Sequence, residues 1–252
     1  MLRKQAGRRA TLDPSGYLAD HAQVRIWPTR SIARDAVVVG LYAVAMAYVE
    51  AAVVVYLQRA LSIDPSSLFP VRDPGSMGGL GEIELGREIA TLVMLGTVGW
   101  LAGRTGPERL AWASIAFGIW DIGYYAWLWV FIGWPASFST YDLLFLIPVP
   151  WVAPVWAPGV VSLALIGFGL AVARRLRADG PLRIGARQLA LGIGGGIVVI
   201  GSFMLDAGNV LAGGSPSTFA WPVFAAGMVL GVVGVATALR SPPAGRGNAA
   251  AA

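Results

Sequence analysis

Six apolar segments, each about as long as a membrane-spanning helix, run through this sequence. They cover residues 36–57, 86–103, 110–133, 152–173, 189–210 and 219–239. A helix needs about 20 predominantly apolar residues to cross the hydrocarbon core of a bilayer, so these segments are long enough to do so. The hydrophobic fraction of 56% and the charged fraction of 13% leave too little polar surface for a soluble domain of this length. The sequence therefore predicts an all-α fold, an integral membrane bundle of about six transmembrane helices.

The basic residues are distributed unevenly between the two sides of such a bundle. All but three of the 19 lysines and arginines lie before the first apolar segment, in the loops 104–109 and 174–187, or after residue 239. The exceptions are Arg59, Arg72 and Arg87. Lysine and arginine accumulate in cytoplasmic loops, so both termini are predicted in the cytoplasm, and the predicted location is the inner membrane of a bacterium.

The chain divides into three regions by composition. Residues 1–35 are predicted as a basic cytoplasmic tail, residues 36–240 as the six-helix transmembrane domain, and residues 241–252 as a disordered C-terminal tail. The first apolar segment is longer than a signal-peptide core and is predicted as an uncleaved span. The stretch 58–85, rich in proline, glycine, serine and acids, is predicted as a non-helical loop.

Several kinds of chemistry are excluded by composition. The chain has no cysteine, and its one histidine is His21 in the N-terminal tail. Disulfides, thiolate metal sites, iron–sulfur clusters, a bis-histidine haem and a typical zinc site within the membrane are therefore not expected. No organic cofactor is predicted, and the ligands left open are a hard cation or a proton. Membrane topology explains the basic residues, so nucleic acid is not an expected partner and the lipid bilayer is.

Four carboxyl side chains fall inside or at the ends of the apolar segments. Glu50 lies in the first segment, Glu88 begins the second, Asp121 lies near the middle of the third, and Asp206 is near the end of the fifth. A carboxyl group in hydrocarbon costs a few kcal/mol, so such groups normally face the bundle interior and have partners. A shared site in the outer half of the bundle is therefore predicted.

Glu84 and Glu88 lie on one helical face, four residues apart. The pair could hold a hard cation or share a proton. The alternative is that acids at a helix N-terminus complement the helix dipole while Arg87 extends to the interface.

Tyr124 and Tyr125 follow Asp121 at three and four residues, on the same helical face. A buried aspartate beside phenol donors is expected as a proton relay, a cation site or a satisfied structural cluster. Asp206, with Asn209 three residues later, is a weaker version in which structural packing is favoured.

Prolines interrupt the segment that joins the third and fourth spans, and tryptophans accompany them. Each proline removes a backbone donor and disfavours helical structure before it, so a re-entrant or interfacial segment is predicted on the outer side. The alternative is an aromatic anchor at the membrane interface. The residues concerned are Pro148, Pro150, Pro154 and Pro158 with Trp151 and Trp156, and Asp142 stands just before them.

Three runs of this sequence resemble uncharacterised bacterial polytopic inner-membrane proteins with about six spans. They are Gly86-Arg87-Glu88-Ile89-Ala90, Trp120-Asp121-Ile122-Gly123-Tyr124-Tyr125, and Leu144-Phe145-Leu146-Ile147-Pro148-Val149-Pro150-Trp151. The resemblance is confined to the middle of the chain and implies no activity.

Three functions remain open from the sequence. The first is a proton- or cation-coupled transport or cation-handling protein that uses the intramembrane carboxylates. The second is a non-catalytic subunit of a membrane complex, with a membrane protein partner or a second copy of this chain. The third is a membrane enzyme that acts on a lipid-like substrate with Glu88 and Asp121 as acid and base.

Overall fold

The computed structural model describes residues 31–60, 62, 80–182 and 184–241. Within these residues, six helical segments are long and apolar enough to cross a membrane. They are α1 (Ile32–Ala60), α2 (Leu80–Ala102), α3 (Gly106–Ile132), α4 (Trp156–Asp179), α5 (Ala186–Met204) extended by the short α6 (Ala207–Leu211), and α7 (Trp221–Leu239). The prediction of an all-α fold with six helices long and apolar enough to cross a membrane is confirmed. The orientation of the termini stays a prediction.

The helices extend beyond the apolar segments at several ends. The helix α1 begins at Ile32, inside the predicted N-terminal tail, and α2 begins at Leu80, so the loop predicted over 58–85 is wrong at both ends. Residues 1–30, 61, 63–79 and 242–252 of the predicted tails and loop lie outside the described residues. The length of an apolar segment indicates only the part of a helix that lies in hydrocarbon. Glutamate, leucine and arginine favour helical structure, so a helix can extend well past that part.

The predicted loop 174–187 is wrong in the same way. Because α4 continues to Asp179, Arg174, Arg175 and Arg177 lie in its last turns. Basic residues near a helix C-terminus interact favourably with the helix dipole, which supports this extension.

Local sequence explains where the central helix α3 begins and ends. The hydroxyl of Thr105 accepts a hydrogen bond from the backbone N–H of Glu108 at 3.4 Å, and Pro107 occupies the first turn, where its missing N–H is not needed. Gly133 ends the helix with a φ of 68°, a left-handed conformation that glycine adopts without a steric penalty.

The segment between α3 and α4 forms a small β-hairpin. Strand β1 (Tyr141–Phe145) pairs antiparallel with β2 (Trp151–Pro154), with Asp142 opposite Ala153 and an irregularity between Leu143 and Phe145. The prolines predicted the loss of helical structure here, but the strand pairing was not predicted. The placement of this hairpin at the membrane interface stays a prediction.

The helix α3 lies at the centre of the fold, and α1, α2 and α4 pack on it. Small residues allow these contacts to be close, since a Cβ added at Gly118 would lie 2.5 Å from the carbonyl oxygen of Ser162 in α4. The helices α5 and α7 form a second close pair, in which a Cβ at Gly195 would lie 2.8 Å from the carbonyl oxygen of Gly227. This pair meets the rest of the bundle mainly where α5 contacts β2 and α7 contacts α4.

Candidate functional site

A polar cavity of about 80 Å³ lies among α1, α2, α3 and the hairpin. This volume holds several water molecules or one small cation. Among the described residues, five carboxyl groups and one guanidinium group line it. The charged residues of the polar cavity are Glu50, Glu84, Glu88, Arg87, Asp121 and Asp142.

Arg87 joins two of these carboxylates. Its guanidinium group forms ion pairs with Glu50 of α1 and with Glu84, one turn earlier in α2, and its Nε donates to Glu84 Oε2 at 3.0 Å. Glu50 also accepts a 3.2 Å hydrogen bond from the hydroxyl of Thr91 and is only 7% exposed. Arg87 therefore lies between two acidic side chains, and its position relative to the membrane interface stays a prediction.

Glu88 ties α2 to the hairpin. Both of its carboxylate oxygens lie 3.0 Å from the backbone N–H of Leu146, which donates to them, and the residue is 5% exposed. A carboxylate held by a backbone donor gains a fixed position, so Glu88 is oriented at the cavity wall.

Asp121 is held in place by a hydrogen bond from α4. The hydroxyl of Ser162 donates a 2.8 Å hydrogen bond to Asp121 Oδ2, and both residues are buried. The phenols of Tyr124 and Tyr125, expected beside Asp121, also line the cavity. The hydroxyl of Tyr125 donates to Asp142 instead, because its ring extends toward the hairpin.

Asp142 supplies the carboxyl group that lies outside the helices. It accepts hydrogen bonds from the Tyr125 hydroxyl at 2.9 Å and from the backbone N–H of Leu143 at 2.8 Å. Burial raises the pKa of Asp142 to about 7, although both hydrogen bonds oppose the shift. A nearby carboxylate, Asp121, raises the pKa further.

An indole without a partner also lines the polar cavity. Trp120 is 6% exposed, and its Nε1–H has no hydrogen-bond partner among the described residues.

The residues predicted as an intramembrane site are almost all brought together. Six of the seven line this one cavity, and the seventh, Asp206, does not. Asp142, predicted as part of the outer loop, lines the cavity too. The six are Glu50, Glu84, Glu88, Asp121, Tyr124 and Tyr125.

Asp206 has a local role at the break between α5 and α6. Its carboxylate accepts hydrogen bonds from Asn209 Nδ2 at 3.3 Å, from the backbone N–H of Ser217 at 2.7 Å and from the Ser217 hydroxyl at 2.8 Å. It thus anchors the loop before α7, in line with the structural role that the sequence favoured.

The two tryptophans of the predicted outer loop make aromatic contacts. Trp151 in β2 packs against Phe145 and Phe203, with ring centroids 5.1 and 6.3 Å apart. Trp156 at the start of α4 meets Phe219 and Phe224 edge to face. Trp151 thus joins the hairpin to α5, and Trp156 joins α4 to α7; neither lines the polar cavity.

Sequence reasoning missed Ser162 and Trp120 in this region. It also missed a buried network at the other end of the helices, where Arg177 donates to the carboxylates of Asp35 and Glu108. The three members come from three helices, so no spacing in the sequence connects them. The three residues have in common only that they are buried inside the bundle, and this burial becomes visible only once the fold is known.

The acidic side chains do not converge on one point. Among the described residues, no three acidic or histidine side chains are grouped so that they could hold a metal ion. The carboxyl groups are spread around the cavity wall instead, an arrangement suited to protons or to a monovalent or organic cation.

Comparisons with known proteins leave this site without a template. No protein-family model matches the sequence, and neither a search of curated proteins nor a search of solved structures found a match.

Proposed function

We propose that this protein is a small membrane transport or cation-handling protein that exchanges protons for cations at the polar cavity. The observation that supports this proposal is that, among the described residues, five carboxyl groups and one guanidinium group line the same cavity. If all of them were ionised, negative charge would far exceed positive charge in a region largely withdrawn from water. Such an excess is offset by bound protons or by a bound cation, and each can displace the other.

The hydrogen bonds around the cavity support exchange rather than permanent neutralisation. Among the described residues that line it, only Glu50 and Glu84 have an ion-pair partner, Arg87. The other three carboxyl groups have hydrogen-bond donors instead. Glu88, Asp121 and Asp142 accept from Leu146 N–H, the Ser162 hydroxyl and the Tyr125 hydroxyl, respectively. These donors leave the negative charge of the three groups to be balanced by whatever occupies the cavity.

Thermal unfolding of the purified protein in a mild neutral detergent tests this proposal. Na⁺, Li⁺ and tetramethylammonium are added at constant ionic strength, because a cation that binds only the folded state raises its stability by mass action. We expect at least one of them to raise the Tm and to release protons in a weakly buffered solution. The increase should disappear in Glu88→Gln and in Asp121→Asn, whose amides can still accept the hydrogen bonds of the native carboxylates.

Glu82→Gln is the matched control. Glu82 lies on the same helix as Glu88, is exposed and does not line the cavity. It should therefore respond to cations like the unmodified protein. If no cation changes the Tm or the proton count, the exchange proposal fails, and the alternative of a subunit that requires a membrane partner is favoured.

A further inference from the structure

A second, much larger cavity lies behind Asp121. This apolar cleft, here called the apolar chamber, is about 650 Å³ in volume, is open on one side and separates α3 and α4 from the α5/α7 pair. It exists because α5 and α7 pack closely on each other and meet the rest of the bundle at few places. Its walls are aliphatic, aromatic and glycine residues, including Leu110, Phe117, Phe168, Val199, Phe203 and Met228. A volume of this size is typical of a small-molecule site.

Asp121 belongs to the walls of both cavities. It is the only ionisable side chain among the described residues that line the apolar chamber, and it also lines the polar cavity. Its hydrogen-bond donor, Ser162, lines the chamber as well. A molecule in the chamber therefore contacts one carboxyl group, that of Asp121. The other four carboxyl groups line the polar cavity beyond Asp121.

The negative charge of the carboxyl groups at this wall determines which class of molecule can bind in the chamber. An anion would be repelled by the carboxyl groups, and a neutral hydrocarbon chain would leave their charge unchanged. A cation with an apolar body offsets the charge and also buries its body against apolar walls. The aromatic rings of Phe117, Phe145 and Trp151 line the chamber and offer faces that attract a cation.

We infer that the apolar chamber binds the body of a lipophilic organic cation, with its charged centre against Asp121. This inference rests on the proposed function and names the class of cation that the protein exchanges for protons. The cation enters the chamber from the apolar side, and its charge displaces a proton from the carboxyl groups around Asp121. No covalent step is involved.

Two glycines of α5 provide a matched pair of variants. Gly196 lines the chamber and Gly194 does not, and a Cβ added at either would have no atom within 4 Å. Gly196→Phe therefore fills part of the chamber, whereas Gly194→Phe adds the same bulk to the same helix elsewhere. Ala164→Phe fills the chamber from α4 and serves if Gly196→Phe does not fold.

Equilibrium dialysis of the full chain in neutral detergent measures binding of tetraphenylphosphonium, with empty micelles subtracted. Tetraphenylborate, an anion of nearly the same shape, is measured in parallel. We expect saturable binding of the phosphonium alone, accompanied by proton release. Gly196→Phe and Asp121→Asn should each weaken it at least tenfold, and Gly194→Phe should change it less than twofold.

The outcomes separate the two proposals. The chamber inference is overturned if both tetraphenyl ions bind equally well. It is also overturned if neither Gly196→Phe nor Ala164→Phe changes phosphonium binding. Either result would indicate a site for neutral chains or lipid. If small cations still raise the Tm of the unmodified protein while the phosphonium does not bind, the inference fails and the exchange function stands. If neither small cations nor the phosphonium has any effect, both fail.

Discussion

The hydroxyl of Ser162 donates a 2.8 Å hydrogen bond to Oδ2 of Asp121 and so joins α4 to α3 at the wall between two cavities. Ser162 is 1% exposed and Asp121 8% exposed, so water does not readily replace this contact. The close approach of the two helices depends on Gly118, since a Cβ there would overlap the backbone of Ser162. One polar contact between tightly packed helices thus orients the carboxyl group that the polar cavity and the apolar chamber share.

Ser162→Ala is expected to destabilise the protein. Removing the hydroxyl leaves a buried carboxyl group without its donor, which costs about 1–3 kcal/mol. Unfolding by increasing mole fraction of dodecyl sulfate, followed by circular dichroism, measures the change. Ser162→Thr keeps a donor and should recover part of the loss if the extra methyl group fits.

Ser114→Ala is the control for the loss of a serine hydroxyl. Ser114 lies two turns before Asp121 in α3, and its hydroxyl donates at 2.9 Å to the carbonyl oxygen of Leu110 in the same helix. Its replacement should change the unfolding free energy by less than about 0.5 kcal/mol, because no buried group loses its donor. Equal effects of the two substitutions would contradict a special role of the contact with Asp121.

Asp142 is expected to make the stability depend on pH. Burial raises its folded-state pKa to about 7, above the usual aspartate value of 3.8 that it has when unfolded. Between these two values the folded state binds the extra proton, so its stability falls as the pH rises from about 4 to about 7. Above pH 7 both states are ionised, and this contribution becomes constant.

Asp142→Asn removes that dependence, and the comparison with the unmodified protein isolates it. Unfolding free energies measured from about pH 4 to about pH 8 should show Asp142→Asn gaining stability relative to the unmodified protein as the pH rises. The carboxylic-acid band of Asp142 in the infrared spectrum should disappear with a midpoint near 7. A midpoint near the usual aspartate value would mean that the group is not buried in the membrane-embedded protein.

Much of the candidate site followed from a single physical rule. Acidic residues in apolar segments must face the bundle interior, so the sequence alone was enough to group Glu50, Glu88 and Asp121. Helical spacing placed Tyr124 and Tyr125 on the face of Asp121, but it describes neighbours within one helix only. The partner of Asp121 comes from α4, and no local spacing could identify it.

The hairpin was beyond prediction for a related reason. Its strands, Tyr141–Phe145 and Trp151–Pro154, are short and carry no clear alternation of polar and apolar residues. The hairpin contacts α5 through β2, and between its strands the backbone N–H of Leu146 donates to Glu88 of α2. The apolar spans were predictable because length alone identifies them, whereas the hairpin needs the tertiary structure.

Arg177→Gln is expected to have the largest effect on folding. Arg177 of α4 pairs with Asp35 of α1 and Glu108 of α3, whose side chains are 6% and 5% exposed. Removing the shared cation leaves two buried acidic groups without their ion-pair partner, and breaking such a pair costs about 3–5 kcal/mol. We expect Arg177→Gln to give a lower yield of monodisperse protein and a lower Tm in detergent than the unmodified protein.

The triple variant Asp35→Asn, Glu108→Gln, Arg177→Gln is the counterpart of this substitution. It removes all three charges together and should recover much of the Tm, because no buried charge is left alone. Arg174→Gln, at an exposed position of the same helix, is the control and should have little effect. A Tm of Arg177→Gln equal to that of the control would show that the network contributes nothing.

The substitution of Gly118 by alanine tests the contact that brings Ser162 to Asp121. An added Cβ would lie 2.5 Å from the carbonyl oxygen of Ser162 and 2.8 Å from Cγ1 of Ile166, so α3 and α4 would have to separate. Overpacking of this kind costs about 1–3 kcal/mol. Gly167→Ala in α4 adds the same atom where no neighbour lies within 4 Å, and alanine favours a helix over glycine by up to about 1 kcal/mol. Unfolding in dodecyl sulfate should therefore shift in opposite directions for the two variants, and a gain in stability for Gly118→Ala would rule out the close helix contact.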